Sequence, residues 1–107
     1  MKRGEIWTVS GGAPYARKPR PAVILQNDRY GGTESVTICV LTSHPSEKPG
    51  LRPLVVPSTL NGLSKYSYIE VDKVSTVPRR NLGNFVGRLE DAHLEDLSHA
   101  VTVFLGL

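Results

Sequence analysis

The sequence predicts a mainly β (α+β) fold: five to seven short antiparallel strands curled into a barrel-like sheet, followed by one C-terminal helix. Three observations lead there. Eight prolines and ten glycines in 107 residues break the chain into short pieces. The apolar pieces between them are brief and rich in β-branched residues, which suit a pleated surface. Only the last stretch carries a helical repeat, so a sheet with one covering helix is the layer arrangement that buries both.

The elements follow in order. Ile6-Trp7-Thr8-Val9 reads as a first strand, and Ser10 to Arg20, with Gly11-Gly12, Pro14 and Pro19, as a loop. Ala22 to Asn27 is a strand with little alternation, which predicts cover on both faces. Asp28 to Ser35 contains Gly31-Gly32 and is a turn; Val36 to Thr42 is the next strand. Ser43 to Pro53 is a polar, basic loop, and Leu54-Val55-Val56 a short strand. Pro57 to Lys65 turns through Asn61-Gly62. Tyr68 to Val71 and Lys73 to Val77 are strands, or one strand bent near Asp72. Pro78 to Asn84 is a turn and Phe85 to Arg88 a last strand. From Glu90 on, Leu94, Leu97, Val101, Phe104 and Leu105 share one helix face. Glu90 is the expected N-cap, Leu89 and Leu94 take staple positions, and Gly106 ends the helix.

Length and composition bound the function. A chain of 107 residues is expected to form one domain and to bury roughly two-thirds of its unfolded surface. No apolar run reaches the ~18 residues of a membrane span. The basic start, Met1-Lys2-Arg3-Gly4-Glu5, has no apolar stretch behind it and is not a secretory signal, so a cytoplasmic protein is expected. The lone Cys39, inside a strand-like run, excludes a disulfide scaffold and reads as a small buried hydrophobe. His93 and His99 are six positions apart, a poor spacing for shared ligation, so no metal is expected and both histidines read as helix-surface residues. Phosphate-loop, dinucleotide and serine-nucleophile fingerprints are absent.

Charge is uneven. Residues 1–30 carry Lys2, Arg3, Arg17, Lys18, Arg20 and Arg29 against Glu5 and Asp28, whereas residues 89–107 carry four acids and no Lys or Arg. Cations and hydroxyls at strand ends suit a phosphodiester. Arg20 offers a planar fork of donors matched to phosphate oxygens, and Pro19 and Pro21 restrict its backbone. Tyr15, Arg17 and Lys18 can form a stacking face and a phosphate rail for a single strand. Thr42-Ser43 ends a strand, and His44 after it is a side chain able to titrate near neutral pH. The plain alternatives are a solubilising loop and a solvated histidine. Trp7 reads as a core or dimer-contact residue more than as a base-stacking platform, and Arg79-Arg80 as solvated cations or an extension of the basic surface.

Several stretches together resemble the PemK/MazF family of toxins from type II toxin–antitoxin pairs: MKRGEIWTV (residues 1–9), RPAVILQND (20–28), VTICVLTS (36–43), NGL (61–63), SYIEVDKVSTV (67–77) and the closing LGL. The resemblance spans nearly the whole chain in order, and implies a single PemK/MazF-like domain over residues 1–107. It implies a small SH3-like barrel of the CcdB/MazF kind, a homodimer, and a metal-independent, sequence-specific endoribonuclease acting on single-stranded RNA without a cofactor. It further implies a cognate antitoxin whose flexible tail covers the RNA groove. By position, Arg20 matches the family's catalytic arginine and Thr42 its catalytic threonine or serine, with Ser43 beside it. The chain departs from the pattern at Ser75-Thr76, where Arg-Thr is frequent, and at Pro78, where an acid is frequent. Two rival readings stand beside it. One is a CcdB-like gyrase poison, which would need a functional C-terminus where Phe104-Leu105-Gly106-Leu107 reads as core and cap. The other is a non-catalytic barrel that binds nucleic acid or a partner.

Overall fold

The computed structural model describes residues 1–10 and 18–107. Seven strands are present: β1 (Glu5–Val9), β2 (Arg20–Ile24), β3 (Ser35–Thr42), β4 (Leu54–Val55), β5 (Ser67–Ile69), β6 (Ser75–Pro78) and β7 (Leu82–Arg88), followed by α1 (Asp91–Leu105). All pairings are antiparallel, in the order β4-β5-β3-β2-β1-β7, with β6 also on β3.

The long strand β3 organises the curl. One edge pairs with β2; the other pairs with β6 through Val36↔Val77 and then with β5 through Thr42↔Tyr68. The switch between partners occurs at a 3-10 turn, Val71–Lys73, so the expected bend near Asp72 is a turn separating two strands. The result is a half-barrel with two apolar clusters. Ile6, Val23, Cys39, Leu41, Ile69, Leu89 and Leu97 fill one, and α1 covers it. Val9, Ala22, Ile24, Val36, Ile38, Val40 and Val77 fill the other. Successive residues of β2 thus enter opposite clusters, as its lack of alternation predicts.

Edge strand β7 is covered on its free side by residues 60–62, where Arg88 N–H donates to Leu60 O at 3.1 Å. Gly62 has φ +69°, and a Cβ there would meet the Val86 carbonyl oxygen at 2.1 Å. Only glycine fits. Asn61 is more than a turn residue. Fully buried, its amide donates to Val56 O (2.8 Å) and Glu90 Oε1 (3.1 Å), while its oxygen accepts from Ser58 and Leu63 N–H. Glu90 is the N-cap by backbone position, but its carboxylate turns to Asn61 and Ser58 instead of the helix amides. The Ser58 hydroxyl holds that carboxyl below its ordinary range.

Three sequence readings need correction. Phe104 and Leu105 do not reach the core: both are exposed, and the part of α1 packed on the core ends at Ala100 and Val101. His93 is not a free surface residue: its Nε2 accepts from Val56 N–H at 3.4 Å and its Nδ1 is buried. Arg79 is not merely solvated: it donates to the carbonyls of Gly31 and Thr33, the latter at 2.9 Å through Nε, and ties the 31–33 turn to the start of β7. Cys39 is buried, and desolvation pushes its thiol up to about 12. Trp7 is half-buried, packs edge-on to Phe85 at 5.6 Å and donates to Glu5. No helix among the described residues is long and apolar enough to cross a membrane.

Candidate active site

Arg20 opens β2 and Thr42 closes β3. These strands pair as Ala22↔Val40, and continuing that register by two residues brings Arg20 opposite Thr42. Period-two alternation then sends both to the same side of the sheet. They line one groove of about 470 Å³, together with Lys18, Ser43, Lys65 and Ser67. Three cations and three hydroxyls therefore converge where two strands end.

The two central residues are held differently. Arg20 is exposed between Pro19 and Pro21, and its guanidinium has no partner among the described residues. Thr42 is 6 % exposed. Its Oγ accepts from the His44 N–H at 3.2 Å. With that lone pair engaged, the hydroxyl's proton is available as a donor toward the groove.

The loop after Thr42 is anchored from outside. Arg52 donates through Nε and Nη2 to both oxygens of Asp72, at 2.9 and 3.0 Å, and through Nη1 to the His44 carbonyl at 3.1 Å. Glu70, itself buried, lies 3.5 Å from Nη2 and pairs with Lys73 at 3.3 Å. The hydrogen bond from Arg52 holds the Asp72 carboxyl below its ordinary range, and Asp72 in turn raises the Arg52 guanidinium.

Comparison with known proteins supplies the lineage. Residues 2–105 match the family described as PemK-like, MazF-like toxin of type II toxin-antitoxin system. The chain belongs to that family. A similar protein is the probable endoribonuclease MazF of Mycolicibacterium smegmatis, 41 % identical over 107 residues, covering all of this chain and 98 % of the relative. Another is endoribonuclease MazF9 of Mycobacterium tuberculosis, 28 % identical over 116 residues, with coverage of 100 % and 98 %. Among solved structures, the Mycobacterium tuberculosis toxin MazF-mt6 shares the fold with a TM-score of 0.80 at 23 % identity, covering 96 % of this chain and 97 % of that one. A mycobacterial endoribonuclease solved with its cognate antitoxin gives 0.78 at 23 % identity, with coverage of 100 % and 96 %.

In this toxin, Arg20, Thr42, Lys18 and Ser43 come together at the groove. His44 does not line it: its side chain is exposed while its backbone serves Thr42 and Arg52. Tyr15 and Arg17 lie outside the described residues. Lys65 and Ser67 are additions that reading the sequence missed. They reach the groove only because β5 pairs with the end of β3. Arg52, Asp72 and Glu70 were missed as well, and no local motif marks them. Among the described residues, no three of His, Cys, Asp and Glu group as a metal site would require.

Proposed function

We propose that this toxin is an endoribonuclease that cleaves single-stranded RNA, mRNA included, by a metal-independent transesterification. The 2′-hydroxyl attacks the adjacent phosphorus, forming the O2′–P bond as the P–O5′ bond breaks. The products are a 2′,3′-cyclic phosphate and a 5′-hydroxyl. The observation that carries this reading is the shared groove: a guanidinium with no partner among the described residues and a buried threonine hydroxyl line the same space at neighbouring strand ends.

The chemistry needs negative charge stabilised on the phosphate oxygens as the phosphorus becomes five-coordinate. Arg20 supplies a fixed fork of donors, and Thr42 supplies one neutral donor. Each such donor contributes on the order of 3 kcal/mol when aimed at the developing charge. Lys18 and Lys65 carry the flanking phosphates. Ser43 and Ser67 add neutral donors along the same wall. A guanidinium is a poor proton acceptor, and a threonine hydroxyl is no base. In this scheme water takes the 2′-hydroxyl proton and supplies one to the leaving 5′-oxygen.

The toxin works as a cytoplasmic homodimer that restrains growth until a cognate antitoxin lays a flexible, acidic tail over the cationic groove. The antitoxin-bound relative and the convergence of Lys18, Arg20 and Lys65 support that partner. Phe104 and Leu105 are exposed, as a CcdB-like gyrase poison would require of its C-terminus. The family to which the chain belongs, with its endoribonuclease relatives, nevertheless favours RNA.

The test is direct. Purified protein is incubated with a long single-stranded RNA in excess EDTA, and the cut ends are mapped. Cleavage should persist, and a single 2′-deoxy substitution at the cut position should abolish it. Loss of cleavage with chelator, or cutting of the deoxy substrate, overturns the mechanism. A parallel supercoiling assay with gyrase reads the alternative.

A further inference from the structure

We infer that Arg52 is a positioning residue for the cleavage reaction, acting through the His44 peptide to aim the Thr42 hydroxyl; this rests on the nuclease reading above. The connection is continuous. The Asp72 carboxylate fixes the Arg52 guanidinium at two points, 2.9 and 3.0 Å. The third corner of the guanidinium holds the His44 carbonyl at 3.1 Å. The amide of the same residue donates to Thr42 Oγ at 3.2 Å. Arg52 has a side chain only 14 % exposed and does not line the groove, so it is not placed to meet RNA.

Each link has a reason. A residue following a strand end has no ladder to set its peptide plane, so residues 43–44 need an external anchor. Arginine is the one side chain whose planar donors can grip two carboxylate oxygens and still reach a carbonyl at a fixed angle. With His44 held, its N–H occupies a lone pair on Thr42 Oγ and leaves the hydroxyl proton for a phosphate oxygen. Without Arg52, the His44 plane rotates freely and the hydroxyl donates in several directions. That loss is felt in the transition state more than in substrate binding, since a small misplacement of a donor costs rate.

The experiment compares wild type, Arg52→Lys, Arg52→Ala and Asp72→Asn on a short RNA, with kcat and KM measured separately on folded protein. The expected result is a fall in kcat of about 10–100-fold with KM within about threefold. In a Thr42→Val background, Arg52→Lys should cost less than about threefold, since the two residues act as a unit. Arg52→Lys keeps the charge and carries the test should Arg52→Ala not fold. Hydrogen exchange at the His44 amide gives a readout independent of RNA cleavage: protection in the wild type should fall at least about tenfold in Arg52→Lys. A rise in KM at unchanged kcat, equal losses in both backgrounds, or unchanged His44 protection each overturn the proposal. If the wild type cleaves no RNA, the nuclease reading falls, while the exchange data still decide whether Arg52 fixes the His44 peptide.

Discussion

Arg20 and Arg79 are similarly placed in sequence: each directly follows a proline, Pro19 and Pro78. Their surroundings differ completely. Arg79 is half-buried and bound to the carbonyls of Gly31 and Thr33, closing a corner of the fold. Arg20 is exposed at the mouth of a groove, with no protein acceptor among the described residues. Arg52 resembles Arg79, gripped by Asp72 and the His44 carbonyl. A cation with its donors already matched holds the chain together. A cation whose backbone is restrained while its donors stay free is suited to an outside anion. Charge by position says little; charge by satisfaction separates structure from site.

The largest effect should come from breaking the contrast at Arg20. Arg20→Ala should lower RNA cleavage by about 10²–10³-fold, as loss of a transition-state donor does. Its melting temperature should stay within the equivalent of about 0.5 kcal/mol, as for a surface change. A large drop in stability would mean that Arg20 is tied after all.

The converse variant, Arg79→Ala, should cost about 0.5–1.5 kcal/mol by removing the hydrogen bonds to the Gly31 and Thr33 carbonyls, which water then solvates. At roughly 4–8 °C per kcal/mol for a domain of this size, thermal unfolding would show it clearly. Cleavage per folded molecule should change by less than about twofold. Raising salt should act in the opposite sense: RNA affinity falls as counterions compete for Lys18, Arg20 and Lys65, while the tied arginines are less affected.

Acid sharpens the comparison further. Asp72, held by Arg52, and Glu90, held by Ser58, both lie below their ordinary values of 3.8 and 4.5. A carboxyl depressed in the folded state contributes stability that is complete above its unfolded pKa and is lost as pH falls through the folded one. Denaturant midpoints should thus be flat in these terms near neutrality and decline below about pH 4.5. Asp72→Asn should be less stable at pH 7 yet show a shallower acid decline. The smallest effect is expected at Cys39, whose buried thiol sits at about 12: thiol reagents should label it negligibly at pH 8 until the protein is unfolded.

Much of the fold was legible because it rests on local signals. Proline and glycine punctuation separated the strands, and Gly106 ended the helix with φ 72°. Periodicity identified the helix face as far as Val101 and misassigned Phe104 and Leu105. A repeating pattern shows which side chains share a face, but not how much of that face finds core residues to pack against. The candidate site was half legible. Arg20 and Thr42 stood out by residue type and by resemblance, whereas Lys65, Ser67 and Arg52 carry no pattern and matter only through the strands and turns packed beside them.

The sequence by itself determined the element order, the two-faced burial of β2 and the kinship with a toxin family, since propensity, alternation and motif all act over a few neighbouring residues. The tertiary structure alone decided which of the described cations are tied to protein acceptors. A guanidinium is neutralised by whatever acceptor packs against it, and those acceptors, Gly31 for Arg79 and Asp72 for Arg52, lie 48 and 20 positions away along the chain.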